Sequence, residues 1–258
     1  MEIDISATNQ IRIFVINLAR SADRREKMTR VLEKHHLEFQ FFAGVDGSLL
    51  APEQIASAYK ASAAFDRLGR ELHPNEIGCA WSHIKVYEMM VRNGLDEILI
   101  MEDDVDVSDE LPAVLASRHL WLPRDWRLVN FAHDMATPIP THAFEAPGLT
   151  HLSVCHFDQL VGRLGCYLIN RQGADALLRH AYPIRMPSDD LGGDARFLGA
   201  PIYGITPRVA MWDEAYVSAI WTDTTRDEFA LKCRSGFMGI MRRLQSRIKR
   251  RLGRSGKV

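Results

Sequence analysis

Four carboxylates fall within five positions at Glu102-Asp103-Asp104-Val105-Asp106, directly after the apolar run Ile98-Leu99-Ile100-Met101. Acids this close repel and raise one another's pKa, and a divalent cation offsets that cost by taking several hard oxygen ligands at once. Magnesium or manganese suits such a set. If a strand runs on into the acids, Glu102 and Asp104 point to one side while Asp103 and Asp106 diverge. An acid-x-acid pair of this kind can hold a cation and a nucleotide together, the cation neutralising charge on a diphosphate leaving group. Glu102 and Asp104 are therefore the expected metal ligands. The same run also suits a solvated loop or a helix N-cap, since Asp106, Ser108 and Asp109 precede Glu110-Leu111-Pro112.

The elements that must position these acids alternate in type. Ile11 to Leu18 is a β-branched apolar run followed by the charged, helix-prone stretch Arg24 to Lys34, and Phe39 to Val45 offers a second strand closed by Asp46-Gly47, a dipeptide suited to a turn with positive φ. Pro52 to Leu68 reads as one helix; His73-Pro74-Asn75-Glu76 introduces another, Ile77 to Arg92, broken at Asn93-Gly94. Glu97 to Met101 is a strand ending in the acids, Trp126 to Phe131 another, and Gly165 to Ile169 and Gly173 to Ala181 read as strand and helix. No regular element is assigned to the remainder of 112–150, which is rich in Pro, His and Trp. Strand–helix alternation predicts an α/β sheet with helices on both faces, in which ligands bind at the carboxyl ends of the strands.

A chain of 258 residues with 47% hydrophobic composition can bury a substantial core. No apolar run approaches the roughly 18 residues of a spanning helix, and the acidic start Met1-Glu2-Ile3-Asp4 is unlike a secretory signal, so a cytoplasmic protein is expected. The widely spaced Cys79, Cys155, Cys166 and Cys233 suggest free thiols. Charge is distributed unevenly. Residues 232–258 hold ten Lys/Arg and no acid, and removing those ten from the net charge of −1 leaves the first 231 residues at −11. Such an acidic body disfavours nucleic acid. In the tail, Phe237, Met241, Leu244, Ile248 and Leu252 recur at three- and four-residue intervals with Arg242, Arg243, Arg247, Arg250 and Arg254 on other faces. A basic amphipathic helix on an anionic membrane surface is expected there, with a disordered basic extension as the alternative. The expected division is a catalytic domain over 1–231 and a tail over 232–258.

Several segments in order resemble glycosyltransferase family 25: Val15-Ile16-Asn17-Leu18-Ala19-Arg20-Ser21-Ala22-Asp23-Arg24-Arg25, Ala43-Gly44-Val45-Asp46-Gly47, Asn75-Glu76-Ile77-Gly78-Cys79-Ala80-Trp81-Ser82-His83, and Met101-Glu102-Asp103-Asp104. The likeness continues in Gly165 to Ala174, Pro187-Ser188-Asp189 and Ile202 to Pro207, and so spans about residues 11 to 220. It implies a GT-A-like nucleotide-binding α/β fold, with a mixed central sheet flanked by helices, and inverting transfer from a nucleotide-sugar donor. Glu102 and Asp104 stand where the family's acid-x-acid motif meets metal and nucleotide. Asn17, Arg20, Asp46, Glu76, Ser82 and His83 fall in segments expected to line the donor pocket, and Arg24 and Asp103 join them. Either Arg20 or Arg24 can contact phosphate, and Asp46 can accept from ribose or base. His83 can equally pack inside, Glu76 can serve a helix first turn, and Gly78 and Gly165 can serve close packing.

Inversion requires a base for the acceptor hydroxyl. Asp189, at the family's Pro-x-Asp position, is the first candidate, with Asp190 or Asp194 able to replace it; a structural turn is the alternative for this segment. Met211-Trp212 departs from the family pattern, which commonly has Gln there. The expectation is an inverting hexosyltransferase, with galactose a candidate sugar and UDP a candidate carrier, acting on a lipooligosaccharide or other glycan or glycolipid acceptor and requiring Mn2+ or Mg2+. Its rivals are another metal-dependent phosphoryl-transfer enzyme and a non-catalytic, membrane-associated nucleotide-sugar-binding module.

Overall fold

The computed structural model describes residues 11–213, so the expectations for the tail lie outside the described residues. In chain order the elements are β1 (Arg12–Asn17), α1 (Ala22–Lys34), β2 (Phe39–Ala43), α2 (Pro52–Ala58), α3 (Ala61–Leu68), α4 (Pro74–Arg92), β3 (Glu97–Glu102), β4 (Val105–Val107), α5 (Leu111–Ala116) and α6 (Arg118–Trp121). They continue with β5 (Leu128–Asn130), β6 (Ile139–Ala143), β7 (Ser153–His156), β8 (Cys166–Asn170), α7 (Arg171–Ala181), α8 (Ser188–Gly192), α9 (Ala195–Leu198), β9 (Ile202–Thr206) and β10 (Ala210–Trp212). Eight strands form one mixed sheet, ordered β2-β1-β3-β8-β5-β9-β7-β6, and β10 pairs with β4 in a separate ribbon. The expected α/β fold with a mixed central sheet flanked by helices is present.

β2, β1 and β3 run parallel, and β8 joins β3 antiparallel. Their registers explain how the sheet separates two cores. Ile13, Leu99 and Leu168 lie side by side, as do Val15, Met101 and Cys166, and both rows belong to the core that includes Met28 and Leu32 of α1. One residue out of step, Phe14, Ile100 and Tyr167 form a row facing Ile84 and Tyr87 of α4. Because alternate strand residues face opposite ways, Glu102 continues the Ile98–Ile100 row toward α4, and Asp103 begins the turn toward α1.

α4 starts at its predicted signal. His73 is the N-cap, and Glu76 closes a capping box by accepting from the His73 backbone N–H at 2.8 Å. Asn93 ends the helix, followed by Gly94 at φ 65°. Three expectations need correction. The predicted Pro52–Leu68 helix is two helices, because Tyr59 is extended and bridges Ile184; Lys60 N–H donates to Ile184 O at 3.1 Å and Ile184 N–H to Ala58 O at 2.7 Å. Long-range pairing overrides helical propensity there. Gly47 does not adopt positive φ. A Cβ at Gly47 would lie 1.9 Å from Pro74 O, and one at Gly78 would lie 2.6 Å from Val45 O, so these two glycines let the 46–47 turn seat directly on α4. Lastly, the stretch 112–150 holds most of α5, together with α6 and β6, where no regular element beyond a strand near 126–131 was expected.

Candidate functional site

A cavity of about 680 Å³ opens at the carboxyl ends of β1, β2 and β3, where parallel-stranded sheets bind ligands. Arg20, Arg24, Asp46, Glu76, Ser82, His83, Glu102, Asp103, Asp104, Asp189 and Asp190 all line it. Asn17 is buried behind this wall. Its side-chain amide donates to Asp103 Oδ2 at 2.7 Å and to Ser21 O at 3.1 Å.

The three consecutive acids differ in what they meet. β3 ends at Glu102, and a turn at Asp103-Asp104 leads into β4, so the divergence of side chains comes from this turn and not from continued strand alternation. Asp103 also accepts from Arg24 Nη1 at 2.9 Å, which leaves it as a buried, satisfied ion-pair partner. Asp104 Oδ2 lies 3.2 Å from the same Arg24 nitrogen, whereas Asp104 Oδ1 is buried without a hydrogen-bond partner. Asp106 points away and pairs with Lys27 at 2.9 Å. Burial, then repulsion by Glu102, pushes Asp104 up to about 7 despite Arg24; burial, then Asp189 and Asp103, pushes Glu102 up to about 8.

A dry chain of polar groups holds Glu102 from behind. His83 Nε2 is 3.0 Å from Glu102 Oε1, His83 Nδ1 is 2.7 Å from the Tyr167 hydroxyl, and that hydroxyl is 2.7 Å from the Tyr87 hydroxyl. His83 is 1% exposed, and burial holds it down at about 4 against the opposing charge of Asp189, so it is neutral near pH 7. His83 is thus packed inside and also lines the cavity. One helical turn earlier, Cys79 Sγ lies 3.7 Å from Glu102 Oε1 and 3.3 Å from Ser188 Oγ.

The rim is built from residues with structural partners of their own. Asp46 caps the turn at Ser48, accepting from its N–H at 3.0 Å, and pairs with Arg20, whose side chain stays half exposed. Burial would raise the Asp46 pKa, but the hydrogen bonds from Ser48 and Arg20 outweigh it and hold the carboxyl low. Glu76 accepts from Arg70 at 2.7 and 2.8 Å as well as from the His73 backbone, so its carboxylate serves the start of α4. Ser82 Oγ accepts from Val45 N–H at 2.8 Å and donates to Gly78 O at 2.7 Å, tying the 45–47 turn to α4. Arg24 is committed to the acids, whereas Arg20 and Arg163, both half exposed, line the cavity with side chains open to solvent.

At α8, which packs against α4, Asp189 Oδ1 accepts from Leu164 N–H at 3.0 Å. Burial raises the Asp190 pKa, with Arg67 the strongest opposing charge. Asp194 does not line the cavity. It caps α9 and pairs with Arg196 at 2.7 Å, which removes it from the candidate bases. Sequence reasoning missed Cys79, Arg163, Ser188, Trp212 and Asp213, all of which line the cavity. Cys79 and Ser188 stood in segments that carried the family likeness, and Cys79 also has an i, i+4 spacing from His83 on a predicted helix. Gly165 serves close packing as expected, since a Cβ there would meet Trp212 at 2.4 Å.

The residues fit a divalent cation. Asp104 Oδ1 is a buried acceptor with no donor, and burial with the charges of Asp189 and Asp103 opposes ionisation of Glu102 beside it; a cation would offset both.

Fold and site together define an α/β protein with an acid-lined ligand cavity at the carboxyl edge of its parallel strands. The family model described as "Glycosyltransferase family 25 (LPS biosynthesis protein)" matches residues 10–192, and the chain belongs to that family. A "Glycosyltransferase 25 family member" of Drosophila melanogaster is 39% identical over 97 residues, 36% of this chain and 16% of that protein. "Procollagen galactosyltransferase 1" of Danio rerio is 35% identical over 191 residues, 69% of this chain and 30% of that protein. The chain thus spans less than a third of the length of either relative. A solved glycosyltransferase involved in glycosylation of the major capsid of PBCV-1 superposes at a TM-score of 0.32 with 12% identity, covering 64% of this chain and 62% of that one.

Proposed function

We propose that this protein is an inverting glycosyltransferase that moves a hexose, galactose first among candidates, from a UDP-linked donor to a glycan or glycolipid acceptor of the lipooligosaccharide kind. The observation that carries the reading is the unpartnered Asp104 Oδ1 beside Glu102, at the strand end of a cavity about 680 Å³ in volume, in a chain of family 25. A cavity of this size accommodates a nucleotide sugar. Glu102 and Asp104 hold Mn2+ or Mg2+, and the cation, when bound, neutralises the charge that develops on the departing diphosphate. Arg24 fixes the acids in register by bonding Asp103 and Asp104 together. Arg20, half exposed at the rim, meets the phosphates, and the Asp46 turn borders the nucleoside side. Asp189 takes the proton of the attacking hydroxyl, its carboxyl oriented by the Leu164 N–H; Asp190 is the alternative base. The basic tail brings the protein to the cytoplasmic face of an anionic membrane, where a lipid-linked acceptor resides.

The test is a screen of nucleotide sugars with Mn2+ or Mg2+. Release of nucleoside diphosphate that depends on metal, rises with acceptor and disappears in a normally folded Asp104→Asn variant is expected. Release of a nucleoside monophosphate would point instead to phosphodiester chemistry. Tight binding of UDP without turnover on any acceptor would mark a binding module.

A further inference from the structure

Cys79, His83 and Glu102 converge without any need of Asp104. Cys79 and His83 sit one turn apart on α4, and Glu102 reaches them from the end of β3. Sγ of Cys79, Nε2 of His83 and a carboxylate oxygen of Glu102 all lie within 4.8 Å of one another. Around a tetrahedral zinc ion, bond lengths of about 2.0–2.3 Å separate a nitrogen and an oxygen ligand by about 3.4 Å, and a sulfur and an oxygen ligand by about 3.6 Å. The separations here are 3.0 Å for His83–Glu102 and 3.7 Å for Cys79–Glu102. These two separations depart from the tetrahedral values by a few tenths of an ångström, and the third, between Cys79 and His83, lies within 4.8 Å. Ser188 Oγ, 3.3 Å from Cys79 Sγ, and the cavity itself leave room for a fourth ligand or a water. The second shell is also in place. Tyr167, braced by Tyr87, holds His83 Nδ1 and so leaves Nε2 as the nitrogen that faces the other two ligands.

We propose that Cys79, His83 and Glu102 form a second, softer cation site in the cavity wall, one that takes Zn2+ in preference to Mg2+ or Mn2+. A thiolate and an imidazole select a borderline-soft ion, whereas the paired carboxylates 102 and 104 suit a hard one. On binding, the Cys79 thiol gives its proton to solvent and sulfur becomes a ligand. The site shares Glu102 with the donor-binding cation of the proposed reaction but does not depend on that reaction taking place.

Cobalt(II), a spectroscopic stand-in for zinc, tests this with the full chain. Titration is expected to produce a sulfur-to-cobalt charge-transfer band saturating at one ion per chain, abolished by Zn2+ and not by Mg2+. The band should persist in Asp104→Asn, vanish in Cys79→Ser, and require about 10-fold more cobalt in Tyr167→Phe, the loss typical of a missing outer partner. Absence of the band in the wild type, or its full retention in Cys79→Ser, would overturn the proposal. Should Cys79→Ser fail to fold, wild-type Cys79 is alkylated with and without Zn2+ and mapped by mass spectrometry; equal labelling refutes the site. A failed donor reading would instead appear as no turnover of any nucleotide sugar with this band intact.

Discussion

Glu102 is pushed up to about 8 by burial and by the facing charges of Asp189 and Asp103, and Asp104 to about 7 by burial and Glu102. Without a cation, these shifts link stability to pH. A carboxyl whose folded pKa exceeds its unfolded value stabilises the fold fully below the unfolded value, and that contribution is lost as pH rises through the folded one. For Glu102 the window runs from the ordinary carboxyl range up to about 8. In EDTA, wild type and Glu102→Gln should therefore melt together near pH 5, with the variant higher by roughly 2–4 °C near pH 9. Parallel melting curves across that range would contradict the assignment. Saturating Mn2+ should reverse the order at pH 8, because a ligand stabilises only the form that binds it.

Among the elements, the contact between the 45–47 turn and α4 fixes the mouth of the cavity. It depends on two glycines whose missing side chains allow backbone to meet backbone, and on Ser82, which bonds to both sides. Gly78→Ala would put a methyl group 2.6 Å from Val45 O and from Gly47 N, neither of which is a flexible side-chain end. It should destabilise the protein by about 1–3 kcal/mol in chemical denaturation, the usual cost of overpacking, and weaken nucleotide binding. Unchanged stability and binding would remove the turn's role in shaping the mouth. Elements of this kind were legible where local pattern and tertiary demand agree. β1, β3 and β8 are continuous apolar runs buried on both faces, α1 is a charged, helix-prone stretch that buries Met28 and Leu32, and α4 carries its own caps. β6 was not legible, because all five of its residues are exposed at the sheet edge and Pro140 lies within it, so only pairing with β7 defines it. Tyr59 was misread because its partner, Ile184, is remote in sequence. At the site, charged residues in ordered motifs could be read in advance. Trp212 could not, since only the fold brings this neutral side chain to the cavity.

For the whole molecule, the governing feature is the contrast between a body of net charge −11 and a tail holding ten positive charges and no acid. Repulsion by the body restrains any approach to an anionic surface, but screening at physiological salt limits its reach to about 8 Å. A tail docked by an apolar stripe can therefore hold the body at the surface, each Lys or Arg near the lipid contributing about 1 kcal/mol. Vesicles containing anionic lipid should pellet the full chain and leave a variant lacking residues 232–258 in solution, while neutral vesicles should pellet neither. The attachment should weaken steeply between low and high salt, the mark of charge attraction, and a residue of binding at high salt would measure the contribution of Phe237, Met241, Leu244, Ile248 and Leu252. Turnover of a soluble acceptor should be equal in the two proteins, since the cavity-lining residues found among the described residues all precede the tail. Equal pelleting of both proteins would exclude the tail as the anchor.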